Sequence, residues 1–131
     1  MNTQALLTHL QNQLSGLLAV YLFGSHAQET AGPGSDVDIA VLWTGQVDPV
    51  LLWQLSGDLA DIAGCPVDLL DLRAATTVMQ YQILTRGRRL WARDVQAGLF
   101  ECFILSEKTA LDEARAGLFK DIHEKGIVYG R

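Results

Sequence analysis

Leucine recurs between residues 3 and 18 as Leu6, Leu7, Leu10, Leu14, Leu17 and Leu18, the spacing of one helical face, and Thr3 stands where an N-cap belongs. An amphipathic helix is expected there, broken at Gly16. The unbroken apolar run Ala19-Val20-Tyr21-Leu22-Phe23 then reads as a strand buried on both faces, closed by Gly24-Ser25. Residues 30–35 concentrate turn chemistry, and Asp36-Val37-Asp38-Ile39-Ala40-Val41-Leu42 follows as a second strand. Asp48 and Pro49 form a helix start, and Leu51, Leu52, Leu55, Leu59 and Ile62 make its apolar stripe up to Gly64. Residues 67–72 predict a third strand. Thr76 or Thr77 is placed to cap a helix through Met79, Ile83 and Leu84 to Gly87, and Leu90-Trp91 fits a short strand or a turn. Asp94 is placed to cap a last helix reaching about Phe119, with Phe100, Phe103, Ile104, Leu111 and Leu118 along it. The order α-β-β-α-β-α-α predicts a small α/β fold, a mixed sheet flanked by helices.

At 131 residues the chain has room for one domain, taken as 1–131 with a helical segment over 94–131. A chain of this size buries about two-thirds of its surface, enough for a core without staples. Ten basic against fifteen acidic side chains leave a formal charge of -5, which argues against general nucleic-acid binding, whose affinity comes from cations on phosphates. Cys65 and Cys102 are too few for a disulfide framework or a thiolate zinc site and read as reduced, buried small apolar residues. The run over 17–23 is far short of the roughly 20 residues that span a bilayer, so a cytoplasmic protein without a membrane partner is expected.

The chemistry concentrates on acids. Alternate residues of a strand point the same way, so Asp36 and Asp38 project together while Val37 and Ile39 enter the core. Such a pair is either a solvated edge or a site for a hard divalent cation, with magnesium the natural choice. Asp68 opens another apolar strand; if that strand lies beside the one carrying Asp36 and Asp38, three carboxylates converge in the layout that holds two metal ions about 3.5–4 Å apart. Asp71 competes for the third place but points to the opposite face, where a surface or capping carboxylate is expected. Gly24 lets the backbone approach a phosphate, and Ser25 adds a hydroxyl donor.

These residues form G-S-x10-D-x-D, and here the chain resembles the nucleotidyltransferase superfamily of the DNA polymerase beta type. More narrowly it resembles the minimal nucleotidyltransferase (MNT) antitoxins of HEPN/MNT toxin–antitoxin pairs. Tyr21-Leu22-Phe23-Gly24-Ser25-His26-Ala27-Gln28 and Ser35-Asp36-Val37-Asp38-Ile39-Ala40-Val41 carry most of the likeness. The segments 67–72 and 83–90 fit the third acidic strand and the helix end after it. Relatives often carry Arg-Gly after the G-S-x-A unit, where this chain has Gln28-Glu29.

The resemblance implies a polymerase beta-type fold, ATP as substrate, two magnesium ions on Asp36 and Asp38, and Asp68 on the nucleophile-side metal and on the attacking hydroxyl's proton. Gly24 and Ser25 would bind the triphosphate tail. It implies an antitoxin that transfers AMP to a hydroxyl, a tyrosine in expectation, of a HEPN ribonuclease toxin, within a homo- or hetero-oligomer. The alternatives are a transferase acting on a small molecule, for which the chain lacks an acceptor-binding domain, and a toxin-binding module without catalysis, for which clustered acids have no use. Arg86, Arg88, Arg89 and Arg93 make a basic cluster suited either to triphosphate or to a solvated helix end. His26 and His123 read as surface residues, and of Trp43, Trp53 and Trp91 at least two as core.

Overall fold

The computed structural model describes residues 2–26 and 36–125, the side chains of His26 and of 118–125 excepted. The chain runs through α1 (Thr3–Gln13), β1 (Ala19–Phe23), β2 (Val37–Leu42), α2 (Pro49–Ala63), β3 (Val67–Asp71), α3 (Thr77–Arg86), β4 (Arg88–Ala92) and α4 (Gln96–Lys125). The turn expected over 30–35 lies outside the described residues, as do Gln28 and Glu29.

The strands form one mixed sheet in the order β3-β2-β1-β4. β1 lies antiparallel to both β2 and β4, whereas β2 and β3 run parallel. This is the mixed sheet expected, with 88–92 resolved as an edge strand rather than a turn. β1 is central, which explains its continuous apolar run: Val20 and Leu22 face one helical layer, Ala19 and Tyr21 the other.

Two cores follow from the alternation. On one face Val37, Ile39, Val41, Val67 and Leu69 pack under Leu6, Leu7 and Leu10 of α1 and Leu55 and Leu59 of α2. On the other Tyr21, Ala40, Leu42 and Leu72 meet Ile83 of α3 and Ala97 of α4.

The helix ends show where local chemistry decides. Asn2, not Thr3, caps α1: its side chain accepts from the Ala5 N–H at 3.1 Å, so Thr3 is already helical. That helix stops at Gln13, before the break expected at Gly16. Gly16, at φ 88°, turns the chain, and Leu14, Leu17 and Leu18 are buried from that turn and the approach to β1 instead. Asp48 caps α2 through the Val50 N–H at 3.0 Å, and Gly64 ends it in the left-handed conformation. Thr76 caps α3 through the Met79 N–H at 3.2 Å. Asp94 accepts from the Gln96 N–H at 2.9 Å, and that backbone bond holds its carboxyl below the ordinary range.

α4 touches the sheet only in its first turns, where Ala97 and Ile104 are buried and Phe100 is half-buried, while Leu99 and Phe103 stay exposed. It continues to Lys125, beyond the end expected near Phe119. A three-way clasp fixes its base: the Tyr21 hydroxyl donates to Glu101 Oε2 at 2.7 Å, and Arg89 donates to the same oxygen at 2.9 Å. Burial, reinforced by that bond to Glu101, pushes the Tyr21 phenol well above its ordinary pKa. The cysteines are free, but neither is buried: Cys65 is half-buried just past α2, and Cys102 lies on the uncovered side of α4. No helix among the described residues is long and apolar enough to cross a membrane.

Candidate active site

Parallel pairing of β2 with β3 sets the key register, Asp38 opposite Asp68. Two residues on, Ala40 pairs with Leu70. Both belong to the core under α3 and α4, so Asp38 and Asp68 project on that same face, one strand spacing of about 4.8 Å apart. Asp38 is half-buried; Asp68 is exposed on the edge strand; Asp36, also exposed, immediately precedes β2. The strand that carries Asp68 therefore lies directly beside the strand that carries Asp38. The side chains do not close into a cage: among the described residues, no three carboxylate, imidazole or thiol groups gather as a ready cation site. Adjacent carboxylates repel, which favours such separation.

Asp71 is a different residue altogether. It shares the face of Val67 and Leu69 and is 4% exposed. One carboxylate oxygen accepts from the Val47 N–H at 2.8 Å and the other from the Arg73 N–H at 3.1 Å. The capping role anticipated for it holds, but its surface position does not, because it ties the loop before α2 to the turn after β3 from inside the protein.

Gly24 meets the acids directly. Phe23 pairs with Asp38 across β1 and β2, and the chain leaves β1 at Gly24 with φ 73°. A Cβ there would overlap Asp38 Oδ2. Glycine is thus required twice, for the left-handed backbone and for the carboxylate lying against it. Ser25 follows in a short 3-10 turn, and Ser25 and Asp38 both have polar partners.

A cavity of about 370 Å³ opens at this point, lined by Phe23, Gly24, Asp38, Met79, Gln82, Ile83 and Arg86. Of the α3 wall only Arg86 was anticipated, as one of four arginines suited to triphosphate or a solvated helix end, although Met79, Gln82, Ile83 and Arg86 recur three and four apart, the spacing of one helix face. Of the arginine cluster only Arg86 lines it. Arg89 is held by Glu101, and Arg93 sits 3.5 Å from Asp94. The side chains of His26 and His123 lie outside the described residues. Trp43 donates to the Ser15 carbonyl at 2.6 Å and, like Trp91, packs on the first core. Trp53 is 77% exposed on α2.

With this geometry in place, comparison with known proteins decides the family. Residues 5–96 match the polymerase beta nucleotidyltransferases. The chain belongs to that family. It is 34% identical over 122 residues to the protein adenylyltransferase MntA of Shewanella oneidensis strain MR-1, covering 93% of this chain and 88% of the relative. Its fold superimposes on a chain of a toxin–antitoxin crystal structure with AMP-PNP at a TM-score of 0.83 and 34% identity, covering 94% of this chain and 99% of the other. A complex of tri-AMPylated Shewanella oneidensis HEPN toxin with MNT antitoxin gives 0.74 and 32%, covering 92% and 94%. These likenesses place the chain in the minimal nucleotidyltransferase branch anticipated from its motif.

Proposed function

We propose that this chain, acting in the cytoplasm as a single nucleotidyltransferase domain over residues 1–131, is the antitoxin of a toxin–antitoxin pair. It transfers AMP from ATP to a hydroxyl, a tyrosine in our reading, of a HEPN ribonuclease partner and thereby neutralises it. The register of Asp38 opposite Asp68, beside Gly24, is the observation that carries this reading. The likeness to a protein adenylyltransferase and to an antitoxin bound to its AMPylated toxin gives the acceptor its class.

Asp36, Asp38 and Asp68 are hard oxygen donors at one end of one sheet face, a donor set that fits magnesium. They would hold two ions, which when bound neutralise charge on the attacking and leaving oxygens. Gly24 offers its backbone to the phosphate tail without a side chain in the way, and Ser25 adds a hydroxyl donor. Asp68 accepts the proton of the acceptor hydroxyl, whose oxygen bonds to the α-phosphorus as the bond to pyrophosphate breaks. No protein nucleophile is required. In this reading the partner supplies the acceptor surface, as the likeness to an antitoxin bound to its AMPylated toxin supports.

Catalysis differs from simple blocking in stoichiometry. A substoichiometric amount of this protein, incubated with partner, ATP and magnesium, is expected to raise the partner's mass by about 329 Da per AMP group and to leave it inactive after separation. An unchanged mass, with inhibition only at equimolar protein and reversal on dilution, would identify a binding module instead.

A further inference from the structure

Among the described residues, the cavity beside Gly24 has a cation at only one place. Its α3 wall is apolar at Met79 and Ile83, carries an amide at Gln82, and ends in the guanidinium of Arg86; the acid Asp38 stands in the opposite wall. The chain as a whole carries -5, and Asp36, Asp38 and Asp68 stand at this end of the sheet, so a polyanion entering here gains from a fixed cation beyond whatever ions the acids hold. Arg86, like Ser25 and Asp38, has a partner in this structure, and what sets it apart is its place in the cavity wall, since the neighbouring arginines stand outside that lining. Arg89 serves the Tyr21–Glu101 clasp, Arg73 donates to the Trp43 carbonyl at 2.5 Å, and Arg88 pairs across from Leu22, whose side chain enters the core on the opposite face.

The fold also fixes where Arg86 stands. It is the last residue of α3, and the next residue, Gly87, donates its N–H to the Ile83 carbonyl at 2.9 Å. A Cβ on Gly87 would lie 2.5 Å from that carbonyl and 2.7 Å from the carbonyl of Leu22. The helix end is therefore pressed against the backbone of β1 with no side chain between them, two residues before Gly24. The dipole of the helix C-terminus favours a cation there in any case, but does not require one that lines a cavity.

We infer that Arg86 binds the polyphosphate tail of the nucleotide, as the guanidinium partner of the Gly24–Ser25 turn. The inference rests on the nucleotidyl-transfer reading above and adds to it the side chain that selects a triphosphate. A planar guanidinium suits phosphate oxygens in pairs, which an ammonium meets only as a point charge.

Calorimetric titration of the full-length chain with AMP-PNP and magnesium, followed by competition with tripolyphosphate, tests this. Arg86→Gln is expected to weaken both ligands by the same factor, at least about tenfold, as befits a lost charge-assisted contact. Arg86→Lys is expected to recover part of that loss, and both variants to stay folded at the temperature of the titration, with at most a small drop in melting temperature for Arg86→Gln from the lost helix-end cation. Unaltered AMP-PNP affinity in Arg86→Gln overturns the role of Arg86 and leaves the transfer reading standing. So does weaker AMP-PNP binding with tripolyphosphate competition unchanged, which would place Arg86 on the nucleoside. Failure of the unsubstituted chain to bind AMP-PNP overturns both.

Discussion

On one face of the sheet Val37, Ile39, Val41, Val67 and Leu69 are sealed beneath leucines of α1 and α2, none of these residues more than 7% exposed. On the other face Tyr21, Ala40 and Leu42 are covered by α3 and by the first turns of α4, and the cover stops before Asp38 and Asp68. Both faces are built from the same strands by the same alternation. The difference lies in the helical cover: on one face carboxylates stand beyond its edge, while on the other the cover is complete and the one carboxylate of β3 beneath it, Asp71, is bound on both oxygens. β3 displays the contrast within five residues. Asp68 is exposed on the open face, whereas Asp71, on the closed face, has each carboxylate oxygen bound to a backbone N–H.

If the faces divide the labour in this way, substitutions should separate cleanly. The largest effect on activity is expected from Asp36→Asn combined with Asp38→Asn, which should abolish AMP transfer while leaving the fold intact and the melting temperature equal or slightly higher, because like-charge repulsion is relieved. A double variant that still transfers at the normal rate with magnesium would break the comparison at its open face. Leu59→Ala, at a position with 0% exposure, should cost about 2–5 kcal/mol in urea unfolding, with transfer retained wherever the protein remains folded.

Smaller effects sharpen the same division. Asp71→Ala strands the N–H groups of Val47 and Arg73 and should cost about 1–3 kcal/mol, whereas Asp68→Ala should change stability by less than about 0.5 kcal/mol. Similar unfolding midpoints for the two would show that position in β3, not face, sets their roles. The smallest effect is a dependence on pH. Burial, and then the bond to Glu101, raise the Tyr21 phenol above its ordinary 10.0, so the folded state holds that proton more tightly than the unfolded chain. The resulting stability is complete below 10.0 and is lost as pH rises above it. Thermal melts of the unsubstituted chain should fall in this alkaline range more steeply than those of Tyr21→Phe.

How much of this could be read from the residues depended on range. Caps and alternation are local, so Asp48, Pro49 and Gly64 marked α2, and β1 showed its double burial as an apolar run. Asp36, Asp38, Gly24 and Ser25 were legible as a motif because the spacing is short. The pairing of Asp68 with Asp38 was conditional on strand order, which no local pattern encodes; the parallel register settles it. What stayed hidden was tertiary. Leu14, Leu17 and Leu18 keep a helical spacing yet are buried by a turn, since hydrophobic periodicity records burial rather than backbone form. Arg86 is indistinguishable from its neighbours along the chain and is singled out only when α3 is laid against the end of β1.

The most direct test sets the two aspartates of β3 against each other in the transfer reaction itself. Asp68→Asn and Asp71→Asn are each incubated with partner, ATP and magnesium at a temperature where melts show both folded, and the partner is weighed by mass spectrometry. With Asp71→Asn the partner should still gain about 329 Da per AMP group, and with Asp68→Asn that increment should be suppressed even where the complex still forms. Modification at the normal rate by Asp68→Asn would contradict the account.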